Sequence, residues 1–137
     1  MLDKERILSK LDELDSYLTE IEEIMPKNYE KYENSIEKKR ACERLLHISI
    51  ECVIDICTLI VKGLRLGLPS SEEDLFEKLE KKNIITKEMK DKLKTMRGFR
   101  NILVHKYGEV DDEIVFNTLR NINDFRKFRK EVISFLE

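Results

Sequence analysis

The chain has 137 residues, 41% of them hydrophobic and 39% charged, with four glycines, two prolines and no tryptophan. That length fits one domain, residues 1–137, able to bury roughly two-thirds of its unfolded surface, and abundant Leu, Ile, Glu and Lys with little Gly and Pro point to an all-helical protein. The net charge of -2 excludes a globally basic surface. Met1-Leu2-Asp3-Lys4-Glu5-Arg6 is charged and no apolar run follows it, so no signal peptide is expected. The longest apolar stretch, Leu45 to Val61, is interrupted by His47, Ser49, Glu51, Asp55 and Thr58, too short and polar for a membrane span. A cytoplasmic protein is expected.

The first helix is predicted from about Leu2 to Met25. Ile7, Leu11, Leu14, Leu18, Ile21 and Met25 step by three and four, one apolar stripe on an acidic helix, and Pro26 ends it. Pro26 to Ser35 reads as a polar connection containing Tyr29 and Tyr32. The second helix is long, about Ile36 to Leu66. Leu46, Ile50, Val53, Cys57, Ile60 and Leu64 form one stripe, and Leu45, Ile48, Cys52, Ile56 and Leu59 another. A helix apolar nearly all round is a central one. His47, Glu51, Asp55, Thr58 and Lys62 share a narrow polar row on it, and carboxylates there need partners. Cys42, Cys52 and Cys57 are odd in number and lack CxxC spacing, which reads as buried free thiols in a reducing cytosol.

Gly63, Gly67 and Pro69 close the long helix. Ser70 with Glu73 and Ser71 with Asp74 offer overlapping capping boxes for a short helix ending near Lys82-Asn83. Thr86 caps a fourth helix that runs to about Lys106, with Gly108 just beyond. Asp111 or Asp112 caps a last helix carrying Ile114, Leu119, Ile122, Phe125, Val132 and Phe135. The expected architecture is an up-and-down bundle of four main helices plus one short helix.

Charge is unevenly spread. Residues 1–37 carry five Lys/Arg against eleven Asp/Glu, whereas residues 87–106 carry seven Lys/Arg against Glu88 and Asp91. Arg120, Arg126, Lys127, Arg129 and Lys130 stand against Asp124 over 118–130. Such clustering suits a polyanion, although on charge alone a solvated helix face is the better explanation. Within the basic helix Met89, Leu93 and Met96 lead at heptad steps to Arg100 and then Leu103. A guanidinium on an apolar seam is costly unless it snorkels to solvent or meets a partner or phosphate.

Arg97, Asn101 and His105 form a second row at i, i+4, i+8. Arg100 and His105 are about 140° apart around the helix and about 7.5 Å along it, a gap an arginine can close. Arg suits bidentate phosphate contact and His proton transfer near neutral pH. No Asp/Glu/His group has metal-ligand spacing, so no metal and no cofactor is expected. In the implied scheme His105 takes a proton from a ribose 2′-hydroxyl, the oxygen attacks the neighbouring phosphorus, and Arg100 stabilises the developing charge. One candidate general acid per chain calls for a two-fold homodimer pairing two motifs across a cleft.

Asn101 either orients His105, contacts phosphate or is an ordinary surface amide. Arg97 and Lys106 are read as steering groups for the polyanion. Glu51 and Asp55 are assigned to pairing with Arg100 or Arg44, and His47 to a satisfied helix position.

Arg100, four residues, His105, one residue, Tyr107 resembles the Rx4HxY signature of HepT-type toxins, a branch of the HEPN ribonucleases. Asn101 fits the polar residue that usually follows the Arg. Arg40 to Leu45 running into Ile50 to Asp55, the Leu68-Pro69-Ser70 connection and Met96 to Tyr107 extend the likeness over residues 1–137. The resemblance implies a homodimeric HEPN bundle that cleaves RNA, mRNA or tRNA, without metal. It also implies an MntA-type nucleotidyltransferase antitoxin that transfers AMP to Tyr107. An adenylate there would set bulk and negative charge beside Arg100 and His105. The alternatives are a non-catalytic HEPN dimer that binds nucleotide or scaffolds a nucleotidyltransferase, and a plain dimerisation domain.

Overall fold

The computed structural model describes residues 1–105 and 110–137, the side chains of Val104 and His105 excepted. The described residues form seven helices: α1 (Lys4–Ile24), α2 (Tyr29–Glu33), α3 (Ile36–Gly63), α4 (Glu72–Lys81), α5 (Lys87–His105), α6 (Asp112–Arg120) and α7 (Asn123–Leu136). The all-helical class expected from composition is the one found.

The predicted stripe of α1 is its buried face: Ile7, Leu11, Leu14, Leu18 and Ile21 are all sealed from solvent. Asp3 caps the helix, accepting from Arg6 N at 3.1 Å. That face lies along α3, which also packs against α2, α4, α5 and α6, as a helix apolar nearly all round must. Cys42, Leu46, Ile50, Val53, Ile56, Cys57 and Ile60 fill its buried surface. The three cysteines are free and buried. Burial pushes the Cys42 and Cys52 thiols up to about 11, which leaves them as inert apolar groups.

Two local features depart from the expected elements. The polar connection after Pro26 contains the one-turn α2, started by Asn28, whose side chain accepts from Lys31 N at 2.9 Å. The turn sets Tyr29 and Tyr32 on one side, against Phe116 of α6, with ring centroids 5.8 and 5.3 Å away. The last helix is two. At the break the Asn121 side chain donates to the Asn117 carbonyl at 2.9 Å, and Asp124 N returns to the Asn121 carbonyl at 3.1 Å. Side-chain competition of this kind interrupts a helix, and the bend lets Val115, Phe116 and Leu119 on one piece and Phe125, Phe128 and Val132 on the other all reach the core.

The turns flanking α4 position the site. After α3, Leu66 N donates to Val61 O at 3.0 Å and Arg65 N to Lys62 O at 3.2 Å, a Schellman closure. Its left-handed position is filled by Arg65 at φ 53°, not by either nearby glycine. Gly63 instead answers a close approach: a Cβ there would stand 2.9 Å from Leu2 Cα. Ser71 then caps α4, accepting from Asp74 N at 3.1 Å, while Asp74 reaches back to Ser70 N at 3.0 Å. Asn83, at φ 58°, closes α4 by the same device. Thr86 caps α5 as predicted, accepting from Met89 N at 3.0 Å. Its own N–H is held by Glu131 of α7 at 2.8 Å. Among the described residues no helix is long and apolar enough to cross a membrane.

Candidate active site

The seam of α5 behaves as its spacing predicts for three steps: Met89, Leu93 and Met96 are buried. The fourth step is Arg100, whose side chain is only 14% exposed. It does not snorkel to solvent. Arg100 Nη1 donates to Glu51 Oε1 of α3 at 2.8 Å, and Nη2 donates to Glu72 Oε1 at the start of α4. Carboxylates from two other helices therefore meet the guanidinium, the condition under which an arginine can sit on an apolar seam. Arg100 Nε is buried and has no partner among the described residues.

Electrostatics follow from these contacts. Burial pulls against the charged form of Arg100, but Glu51 and Glu72 outweigh it and hold the guanidinium above its usual range. Burial acts on Glu51 in the same sense, against the charge. The Arg100 hydrogen bond and charge overcome it and, with His47, bring the carboxyl below the ordinary glutamate range.

The contacts continue on both sides. His47 Nε2 lies 3.3 Å from Glu51 Oε1, and Arg44 Nη1 lies 3.4 Å from His47 Nδ1. A guanidinium can only donate, so Nδ1 is the acceptor and the ring proton sits on Nε2, facing Glu51. On the α4 side, Glu72 Oε1 is shared: Arg97 Nε donates to it at 3.1 Å, and Arg97 Nη1 donates to Glu73 Oε1 at 3.4 Å. One chain of polar contacts thus runs Arg44, His47, Glu51, Arg100, Glu72, Arg97, Glu73, stitching α3, α5 and α4 together.

Several residues singled out from the sequence come together here, and others do not. Arg97 and Arg100 are in the cluster, with Arg97 held by carboxylates. Asn101 is half-buried on the next position of α5 and makes no side-chain hydrogen bond among the described residues. His105 is the last residue of α5, so backbone and helix register carry it to the end of the same helix as Arg100; its side chain, together with Lys106 and Tyr107, lies outside what is described. Glu51 takes the role assigned to it. Asp55 does not: it pairs with Lys10 of α1 at 3.4 Å, one turn further along α3 and away from Arg100. Glu73 was read only as a capping partner of Ser70, and Glu72 was given no role. The available signal was their charge: three consecutive acids open α4, next in sequence to a strongly basic helix.

The cluster can do two things chemically. It orients a guanidinium at the end of a seam, and it presents basic and acidic groups close to the C-terminal turn of α5. Among the described residues no group of three or more His, Cys, Asp or Glu is placed to hold a metal ion.

Comparison with known proteins gives this arrangement a family. The family model Ribonuclease HepT-like matches residues 14–132. The mRNA nuclease HepT of Shewanella oneidensis is 40% identical over 79 residues, spanning 57% of this chain and 59% of that protein, less than two-thirds of its length. The tRNA nuclease HepT of Aphanizomenon flos-aquae is 27% identical over 131 residues, 95% of this chain and 89% of that one. Among solved structures, a tri-AMPylated HEPN toxin of Shewanella oneidensis in complex with MNT antitoxin superposes with a TM-score of 0.86. It is 28% identical, covering 93% of this chain and 96% of that chain. This chain, with its helical bundle and its seam arginine, belongs to the ribonuclease HepT-like family.

Proposed function

We propose that the chain, read as one HEPN domain over residues 1–137, is the toxin of a cytoplasmic toxin–antitoxin pair and a metal-independent endoribonuclease. Arg100 and His105 are its catalytic pair. The observation that carries this reading is the position of Arg100: a guanidinium kept on the apolar seam by two carboxylates, five residues before the histidine that ends α5. A scaffold helix has no use for that expense, because an apolar side chain would pack there at no desolvation cost.

The reaction follows from the groups. His105 accepts the proton of a ribose 2′-hydroxyl, the 2′-oxygen attacks the adjacent phosphorus, and the bond to the 5′-oxygen breaks. A 2′,3′-cyclic phosphate and a 5′-hydroxyl result. Arg100 stabilises the negative charge gathered on the phosphoryl oxygens. The leaving oxygen needs a proton, and the second copy of His105 in a two-fold dimer supplies it across the shared cleft. Asn101 supports His105, and Arg97 and Lys106 border the path of the strand.

Silencing follows the precedent of the AMPylated relative in its complex with MNT antitoxin. An MntA-type nucleotidyltransferase transfers AMP from ATP to the Tyr107 hydroxyl, releasing pyrophosphate. The adenylate phosphate stands two residues from His105 and repels RNA.

The test compares the purified chain with His105→Ala. Cleavage of RNA in the presence of EDTA by the first and not by the second is expected, along with growth arrest on expression of the first alone. Equal behaviour of the two refutes the nuclease and leaves a non-catalytic HEPN dimer that binds nucleotide or scaffolds a nucleotidyltransferase. Intact mass after co-expression with an MntA-type enzyme checks the antitoxin: added adenylates should vanish in Tyr107→Phe.

A further inference from the structure

The guanidinium of Arg100 is not waiting empty. Both terminal nitrogens are held by carboxylates and the side chain is 14% exposed, so a phosphate oxygen competes with a carboxylate for it. The surrounding cluster is balanced as well. Arg44, Arg97 and Arg100 face Glu51, Glu72 and Glu73, three guanidinium groups against three carboxylates. A polyanion gains little from such a site unless one acid yields its place.

The two acids on Arg100 are not equally able to yield. Glu51 sits in the middle of α3, and without Arg100 its remaining polar contact is His47 at 3.3 Å. Glu72 is the first residue of α4, where a negative charge is favoured by the helix end, and the oxygen that binds Arg100 also accepts from Arg97 Nε at 3.1 Å. Losing Arg100 therefore leaves Glu51 with His47 alone among its protein partners, whereas Glu72 keeps a second arginine and a helix terminus. Carboxylate and phosphate engage a guanidinium through the same N–H···O geometry. We propose that Glu72 is an exchangeable occupant of the phosphate position on Arg100, displaced toward Arg97 when RNA binds, while Glu51 remains as the positioning residue that anchors the guanidinium. The inference rests on the ribonuclease reading of Arg100 and names the residue that regulates its access to substrate.

The experiment measures binding and cleavage separately, on the full chain. Binding is read by fluorescence anisotropy with a labelled 2′-O-methyl RNA oligonucleotide, which cannot be cut. Glu72→Gln should bind it about three- to tenfold more tightly than the wild type, because Arg100 Nη2 is no longer held by a charged competitor. A merely structural role for Glu72 moves affinity the other way. Glu73→Gln removes the same charge one residue along, where only Arg97 is touched, and should tighten binding less. Glu51→Gln should instead lower kcat on ordinary RNA by about ten- to a hundredfold, as expected when a positioned group loses its anchor.

Thermal denaturation of each variant checks that it folds. Should Glu72→Gln not fold, Glu72→Asp, which keeps the charge but shortens the reach to Arg100, should tighten binding likewise. Binding by Glu72→Gln equal to or weaker than wild type overturns the proposal, and so does an equal gain in Glu73→Gln, which would mark simple charge removal. Wild type that cuts no better than His105→Ala refutes the ribonuclease reading instead, while the order of the binding constants still decides whether Glu72 competes for the anion.

Discussion

The two halves of α5 handle charge in opposite ways. In the first half the seam is apolar, and lysines off the seam pair with carboxylates: Lys90 with Glu80 at 3.2 Å, Lys94 with Glu77 at 3.1 Å, and Lys92 with both Glu88 and Asp124 at 3.1 and 3.0 Å. Simple lysine–carboxylate pairs near a protein surface contribute about 0–1 kcal/mol each. In the second half a cation occupies the seam itself, and Arg97 and Arg100 share one oxygen of Glu72. Taking a guanidinium out of water costs several kcal/mol, which the carboxylates of Glu51 and Glu72 offset. The first half is thus built for folding and the second for holding a charge in one place. Substitutions on the two sides of Met96 should therefore report on different properties.

The largest effect is expected in the first half. Leu93, 1% exposed, packs at the centre of the seam, and Leu93→Ala should cost about 2–5 kcal/mol in urea unfolding. Surviving folded protein should retain its turnover per molecule, since nothing at Arg100 has changed. Arg100→Lys reverses the pattern. An ammonium keeps the charge but lacks the planar fork by which the guanidinium holds Glu51 together with a second acceptor, Glu72 or a phosphate. RNA cleavage should fall about 10²- to 10³-fold, equivalent to about 2.7–4 kcal/mol of transition-state stabilisation, with a smaller change in the unfolding midpoint. If Leu93→Ala lowered turnover as strongly as it lowered stability, or Arg100→Lys melted the chain without touching rate, the division of α5 would fail.

This division also marks what the sequence could reveal. The stripes of α1 and α3 were legible because burial follows the helical repeat: every stripe position of α1 from Ile7 to Ile21 is fully buried. Thr86 and Ser71 were legible because capping chemistry is local. Arg100 was legible as an exception to its own heptad. Its partners were not, since Glu51 is 49 residues away and Glu72 is 28, and only folding joins them. Asp55 looked equivalent to Glu51 on the polar row, but one further turn of α3 carries it round to Lys10. The missed α2 shows the same limit. Its composition is polar, and what makes it a helix is Tyr32 fitting against Phe116, a residue 84 positions later.

Thr86 tests the comparison at the opposite end of α5 from the site. Its hydroxyl accepts from Met89 N and its N–H is held by Glu131, so Thr86→Ala should cost about 0.5–2 kcal/mol, as cap losses do. The loss should appear as faster hydrogen exchange confined to the first turns of α5 and leave the proposed RNA cleavage unchanged. Exchange that spread evenly along the helix to its last turn would show that the two halves are not separable.

The smallest effect distinguishes the halves by pH and salt. Glu51 and Glu88 both have carboxyls held below the ordinary glutamate value of 4.5, Glu51 against burial by the Arg100 hydrogen bond and Glu88 by its Lys92 hydrogen bond. A carboxyl lowered by folding adds stability that is fully present above its unfolded value and is lost as pH falls below 4.5 through the folded value. The wild type should therefore lose its advantage over Glu51→Gln, and over Glu88→Gln, as urea unfolding is followed down from neutral pH. Salt separates the two. Glu88 is 77% exposed against 40% for Glu51, and at about 1 M salt the Debye length shrinks to about 3 Å. The acid-dependent difference should then vanish for Glu88→Gln and persist for Glu51→Gln, because Glu51 pairs with a guanidinium that is only 14% exposed. Equal screening of both would mean that Arg100 is held no differently from a surface lysine.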